Sequence, residues 1–253
     1  MMHVDLNCDM GESSGSRIVG EDASIMPLIS SANIACGYHG GDALVMDQTV
    51  TLAIRYGVNI GAHPSFFDLE HFGRRDMDLS EAQIGELVTA QVSTLMRVAA
   101  AQGARLSHVK PHGALYNMSA RNFAYARAIA RAVKAIDPGL VLFGLSGSLS
   151  IRAAEDEGLR HGSEVFADRT YQDDGSLTPR TSPHAMISEV SASVEQVLMM
   201  VREGKVRALS GKLLNIQAET ICIHGDTAGA AAYARAIRQG LEAAGVTIQP
   251  FTT

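Results

Sequence analysis

The chain lacks most of the signatures that would place it quickly. No apolar run approaches the roughly 20 residues of a membrane span. The start, Met1-Met2-His3-Val4-Asp5, has neither a basic nor an apolar leader segment, so a cytoplasmic protein is expected. Cysteine is scarce: Cys8, Cys36 and Cys222 lie far apart among apolar neighbours with no C-x-x-C spacing. They read as small buried residues in a reducing compartment. There is no excess of positive charge, the formal net charge being −6. That argues against a nucleic-acid partner, which needs Lys and Arg to neutralise phosphates. No G-x-x-x-x-G-K-[ST] loop is present to hold ATP, and no H-E-x-x-H to hold zinc. The stretch "GLSGSLS", Gly144 to Ser150, is not G-x-S-x-G, so a serine nucleophile has little support.

What is present is an ordinary globular composition, 46% hydrophobic and 19% charged over 253 residues, enough for a substantial core. Strand-like runs occur at Val4–Cys8, Ser30–Cys36, Val58–His63, Leu106–Lys110, Leu140–Leu145, Ser163–Ala167 and Thr220–His224. Amphipathic segments alternate with them. The clearest begins at Ser80, whose S-x-x-Q spacing to Gln83 resembles a capping box, and continues through Ile84, Val88, Val92 and Leu95. Two others follow Ser119 and Thr227. Seven β-then-α units with no composition break predict an α/β fold, one domain over 1–253, with a parallel sheet closed into a (β/α) barrel. Two connections, Ser65–Asp78 and Asp168–Pro183, are long enough to be lids or binding loops at the C-terminal ends of strands.

Residues two apart in a strand share a face. On that basis Asp5, Asn7 and Asp9 point together, as do His108, Lys110 and His112, provided the extended conformation persists through Pro111. Glu164, Phe166 and Asp168 form a third such set, and Cys222, His224 and Asp226 a fourth. Asn33 leads towards His39 and Asp42, and the third strand ends in His63. Polar residues therefore gather towards the C-terminal ends of six strands, while the alternate faces stay apolar. Buried charges must be paired or functional, because desolvation costs several kcal/mol each. Some members have plainer readings: Asp42 as a helix cap, Asp9 and Glu12 as turn residues, His108 as a hydrogen-bonded core histidine. His3, His71, His161 and His184 lack the strand-end setting and read as surface residues. A cation with several imidazoles and carboxylates suits acid–base work on a carbonyl. His39, His63 and Asp9 could also hold a divalent metal with an open position.

The stretches "DLNCDMGE" (5–12), "ANIACGYHGGD" (32–42), "GVNIGAHPSFFDLEHFGRR" (57–75), "VKPHGALYN" (109–117), "EVFADRTY" (164–171), "LTPR" (177–180) and "IHGD" (223–226) resemble the LamB/YcsF family. The family includes the A component of bacterial ATP-dependent 5-oxoprolinase. The resemblance implies an irregular seven-stranded barrel akin to sugar deacetylases. It further implies a part in hydrolysing the lactam of 5-oxo-L-proline to L-glutamate at the expense of ATP, with partner subunits B and C. On that expectation Lys110, His112, His63, Asp168 and Asp9 form the catalytic group. Asp5, Asn7, Glu12, His39, Asp42, Arg74, Arg75, Arg169, His224 and Asp226 form the substrate-binding group. Arg74, Arg75 and Arg169 would hold a carboxylate or phosphate. Two other functions use the same mouth: a self-sufficient metal-dependent amidase or deacetylase, and a noncatalytic subunit that carries substrate.

Overall fold

Each apolar-faced strand meets the next in parallel, and the last meets the first. In the computed structural model, which describes residues 2–15, 17–225 and 229–251, the strands β1 (Met2–Met10), β2 (Ser31–Ala35), β3 (Asn59–His63), β4 (Leu106–Val109), β5 (Val141–Leu145) and β6 (His161–Phe166) run side by side. β7 (Lys205–Arg207) and β8 (Leu213–Asn215) form a separate antiparallel hairpin, and β9 (Thr220–Ile223) pairs with both β6 and β1. The seven strands β1–β6 and β9 thus close a parallel barrel, as the sequence predicts. A short outer strand, β10 (Val246–Ile248), adds to the start of β1. Neither the hairpin nor β10 is visible in the strand periodicity, because three residues are too few to show alternation.

The surrounding helices are α1 (Asp22–Ile25), α2 (Ala43–Tyr56), α3 (Glu81–Ala101), α4 (Gly113–Arg121), α5 (Phe123–Ile136), α6 (Leu149–Asp156), α7 (Val190–Glu203) and α8 (Ala230–Ala243). The capping box predicted at Ser80 is present: its hydroxyl accepts from Gln83 N–H while the Gln83 side chain accepts from Ser80 N–H, satisfying two otherwise orphaned donors of α3. The helix expected after Ser119 begins later. Ser119 lies inside α4, and Asn122, a better cap because its carbonyl reaches two amides, starts α5. Thr227, expected to precede the last helix, lies outside the described residues. No helix among the described residues is long and apolar enough to cross a membrane.

The core is a shell between strands and helices. Leu6, Cys8, Met10, Ala32, Ile34, Ile60, Ala62, Val109, Ile221 and Ile223 face it from the barrel. Ile84, Val88, Val92 and Leu95 meet it from α3, and Ala234, Ile237 and Leu241 from α8. The barrel interior is different, because the opposite strand faces carry polar groups. One register row joins Asp9, Asn33, Gly61 and His108 across β1 to β4. A Cβ at Gly61 would stand 2.0 Å from His108 Nε2, so glycine here leaves the space that the imidazole fills. His108 thereby reaches Asn33 Oδ1 at 2.8 Å and stacks on Phe143. Burial, then the charge of Lys110, lowers its pKa to about 3, which makes it a neutral core histidine.

Candidate active site

The interior polar groups form tiers from the closed end of the barrel to its mouth. At the base, Asp5 accepts hydrogen bonds from Ser30 and Ser31 at 2.7 Å each and from Thr220 at 2.5 Å. Burial raises the Asp5 pKa, with these bonds opposing. Asp5 ties β1 to β2 and β9, and it does not line the mouth cavity, so its place is below the substrate position predicted for it. Above it Asn7 donates to Glu164 at 3.0 Å and to Thr220 at 2.6 Å, and accepts from Asn33 at 2.7 Å. Asn7 also stands beneath the cavity, holding the next tier.

That tier is Lys110. Its backbone continues the pairing past the end of β4: Lys110 N–H donates to Ala62 O and His112 N–H to Pro64 O. The extended conformation therefore does persist through Pro111, and His112, at φ −100° and ψ 150°, starts α4. Gly113, at φ +55°, makes the turn, and a Cβ there would stand 2.5 Å from Gly73 O. Lys110 Nζ lies 2.9 Å from Asp9 Oδ1, 2.9 Å from Glu164 Oε1, 3.2 Å from Asn7 Oδ1 and 2.9 Å from Cys222 Sγ. Burial alone would push the ammonium towards neutrality. Asp9 and Glu164, with Cys222 Sγ accepting a hydrogen bond, outweigh it and hold the Lys110 pKa well above its ordinary value. Burial pushes the Cys222 thiol well above its ordinary pKa, with Lys110 opposing.

At the mouth stand three imidazoles and two carboxylates. Asp9, though buried, is held well below the usual carboxylate range by His63 and Lys110. His63 Nδ1 lies 2.6 Å from Lys110 O and its Nε2 3.3 Å from Asp9 Oδ2. His112 Nε2 lies 2.9 Å from Phe72 O, and its Nδ1 2.9 Å from His63 Nε2. Carbonyl oxygens only accept, so His63 Nδ1 and His112 Nε2 each carry a hydrogen. Two neutral rings would then face each other lone pair to lone pair. Either a third proton or a metal ion must lie in that contact. His39 stacks on His112 with ring centroids 3.8 Å apart, and its Nε2 lies 3.1 Å from Glu12 Oε1. Burial, followed by the neighbouring imidazoles, holds both His39 and His112 well below the ordinary histidine pKa.

A divalent ion fits this group. Glu12, His39, His63 and His112 each offer one ligand atom, all within 4.8 Å of one another. Three of the separations, 2.9, 3.1 and 3.6 Å, bracket the roughly 3.3 Å edge that 2.0–2.1 Å bonds make in a tetrahedron. His39 Nδ1 is buried without a hydrogen-bond partner. Asp9, a predicted ligand with His39 and His63, stands beside the group, engaged with Lys110. Glu12 and His112 complete a set that spacing in the sequence does not reveal.

On the opposite wall, His224 Nδ1 lies 2.9 and 2.7 Å from the two oxygens of Asp168. Asp168 is deeply buried; burial would raise its pKa, yet His224 and the nearby arginines hold it below the usual value. His224, not Asp168, lines the cavity, so Asp168 orients the imidazole from behind. The cavity of about 860 Å³ is lined by Asp9, Glu12, His63, Arg74, Lys110, His112, Arg169, Arg180 and His224 among others.

Three predicted binding residues occupy other places. Asp42 caps α2, accepting from Val45 N–H at 2.9 Å, and also accepts from Gly15 N–H. Arg75 is exposed outside the cavity, 3.4 Å from Asp68. Arg169 reaches the cavity wall, but its buried fork donates to Thr178 O and Ala185 O and so fastens the long loop after β6. Asp226 lies outside the described residues. Glu164, Cys222 and Arg180 join the site in addition to the predicted members. Alternation places Glu164 and Cys222 on the inner faces, which is the available signal; Arg180 lies on a loop, where no periodicity operates.

Comparison with known proteins decides the kinship. The LamB/YcsF family matches residues 4–253. The chain belongs to the LamB/YcsF family. A 5-oxoprolinase A subunit from Bordetella pertussis is 54% identical over 246 residues, covering 97% of this chain and 98% of that one. The crystal structure of a lactam utilization protein from Thermus thermophilus superposes with a TM-score of 0.93 at 46% identity, covering 99% and 100% of the two chains. The Bacillus cereus polysaccharide deacetylase Bc1974 shares the fold alone, with a TM-score of 0.51 at 14% identity over 100% of this chain and 93% of its own. The barrel of this LamB/YcsF member is thus of the deacetylase type.

Proposed function

We propose that this chain, one barrel domain working in the cytoplasm, is component A of an ATP-dependent 5-oxoprolinase. In this reading it opens the activated lactam of 5-oxo-L-proline to L-glutamate together with partner subunits B and C. The observation that supports it best is Lys110 Nζ, a buried cation between two carboxylates, set beside the His63–His112 contact in one cavity. The Bordetella relative is named as one subunit of its enzyme, which agrees with a divided task. So does a chain without a phosphate loop.

A five-membered lactam resists water because its amide is resonance-stabilised and its tethered amine recloses. Transfer of a phosphoryl group from ATP to the carbonyl oxygen removes that resonance. Water oxygen then bonds to the ring carbon, the C–N bond breaks as nitrogen takes up a proton, and the resulting acyl phosphate yields glutamate and phosphate on reaction with a second water. In this reading Lys110 stabilises negative charge on the former carbonyl oxygen or phosphate. His112, or Asp168 acting through His224, takes the proton from water, and His63 supplies the leaving nitrogen. Arg74 meets the transferred phosphoryl group. The purified chain alone should hydrolyse little ATP, and 5-oxoproline should stimulate hydrolysis only when both partners are added. Strong ATP hydrolysis by the chain alone would overturn this division.

The Glu12–His39–His63–His112 cluster favours a second reading, a metal-dependent amidase acting alone. A bound divalent ion would supply Lewis-acid chemistry at the mouth; Glu12 and the three imidazoles would hold it. Zinc titrated into the chelator-treated chain should bind with about one equivalent by calorimetry, and His112→Ala should weaken that binding. Zinc binding with lactam or amide hydrolysis in the absence of ATP would support the second reading over the first.

A further inference from the structure

The contact between Arg180 and His224 has chemistry of its own. Arg180 Nη2 lies 3.0 Å from His224 Nε2. A guanidinium carries donors and no acceptor, so it donates to Nε2. His224 Nε2 must therefore present a lone pair, and Nδ1 must carry the hydrogen directed at Asp168. An Asp168-oriented imidazole with an open Nε2 is the arrangement of a general base. Here the nitrogen that would take the proton is occupied by an arginine.

Arg180 is suited to leaving. It is exposed on the loop that connects β6 to α7. That loop is fastened at its base: Arg169 holds Thr178 O and Ala185 O, Thr170 Oγ1 donates to His184 O, and Tyr171 pairs with Leu177. The segment carrying Arg180 lies between these anchors. Its hydrogen-bond partners are the neutral His224 ring and the Met186 sulfur at 3.8 Å. Lys110, by contrast, is matched directly by two carboxylates and Arg121 by Asp76, whereas Asp168 acts on Arg180 from behind the ring. A carboxylate entering the cavity would offer Arg180 an ion pair and a bidentate fork in place of the single bond it makes with a neutral ring.

We infer that Arg180 is a ligand-responsive cap on His224: it covers Nε2 until the carboxylate of a lactam acid draws the guanidinium away, which frees the nitrogen for water. Binding of a correctly charged substrate and exposure of the base then become one event, and a lactam without a carboxylate leaves the base covered. The capping half stands on geometry alone, while the carboxylate half rests on the lactam reading above.

The two halves are tested separately on the purified full chain. Carbethoxylation by diethyl pyrocarbonate, followed by peptide mass spectrometry, reads the accessibility of each histidine nitrogen, with exposed His3, His71 and His184 as internal references. Without any lactam, R180A should raise the rate at His224 about two- to tenfold, the factor equivalent to one net hydrogen bond, and leave the references unchanged. An unaltered rate at His224 overturns the cap. Calorimetric titration with 5-oxo-L-proline and with 2-pyrrolidinone, the same ring without the carboxylate, tests the second half. Wild type should prefer the acid by about tenfold or more, as expected for a charge-assisted pair, and R180A should lose most of that preference. A preference retained in R180A assigns the carboxylate elsewhere and overturns the clamp. If the wild-type chain binds neither ring, the lactam reading and the clamp both fall, while the ligand-free reactivity still decides the cap.

Discussion

Lys110→Met is expected to abolish ring opening by the complete assembly and to lower unfolding free energy by about 3–5 kcal/mol at neutral pH. The two losses have one cause. Lys110 Nζ is the shared partner of Asp9 and Glu164, both buried. Its removal leaves two carboxylates in a poorly hydrated interior without a cation, and deletes the group proposed above to face developing negative charge. The pH dependence separates this from a simple packing defect. In the wild type the Asp9 pKa is depressed, against its burial, by His63 and Lys110. That group contributes stability present above the unfolded carboxylate pKa, about 3.9, and lost as pH falls through its lower folded value. Without Lys110 burial dominates and the folded pKa rises, so the carboxylate destabilises at neutral pH and is relieved by protonation on acidification. The stability difference between wild type and variant should therefore shrink from about pH 7 towards about pH 4.5 in urea titrations. A constant difference across that range would sink the electrostatic account, and near-normal turnover would remove Lys110 from the catalytic set.

His112→Ala should lower kcat of the assembly by about 10²- to 10⁴-fold, the usual contribution of a positioned acid–base group, with a smaller change in KM. His112 touches three other parts of the mouth: the His63 Nε2 contact, the stack on His39, and the bond to Phe72 O. Phe72 has φ +57°, a conformation uncommon for a bulky side chain, so its carbonyl is held towards His112 at a cost in backbone strain. Truncation leaves that carbonyl without the imidazole donor, at a cost of about 1–3 kcal/mol. The barrel should survive, because its core shell lies on the other face of the strands. Steady-state kinetics and thermal unfolding of the same preparation check both parts. Turnover within about threefold of wild type, well short of that contribution, would place proton transfer on His224 instead.

By itself the sequence determined seven strands and which face of each is polar, while closure of the sheet came from the pairing of β9 with β1. Strands and faces depend on local periodicity: a side chain two residues away shares a face whatever the chain does elsewhere. The same rule put Asp9, His63, Lys110, His112 and His224 at one end of the barrel, and long non-periodic stretches marked the two loops at that end. What periodicity could not supply was contact. Lys110 meets Asp9 across 101 positions and Cys222 across 112. Such pairs exist only when β9 closes on β1 in one particular register. That register sinks Asp5 and Asn7 below the cavity although they share a face with Asp9. It also brings Glu164 against Lys110. Loop geometry decided the remainder. Arg74, Arg75, Arg169 and Arg180 are equivalent as letters, yet one reaches a cavity wall, one faces solvent, one is spent on backbone carbonyls and one covers His224. No alternation governs a loop, so only the folded chain distinguishes a cation that can bind a substrate from one that holds the loop in place.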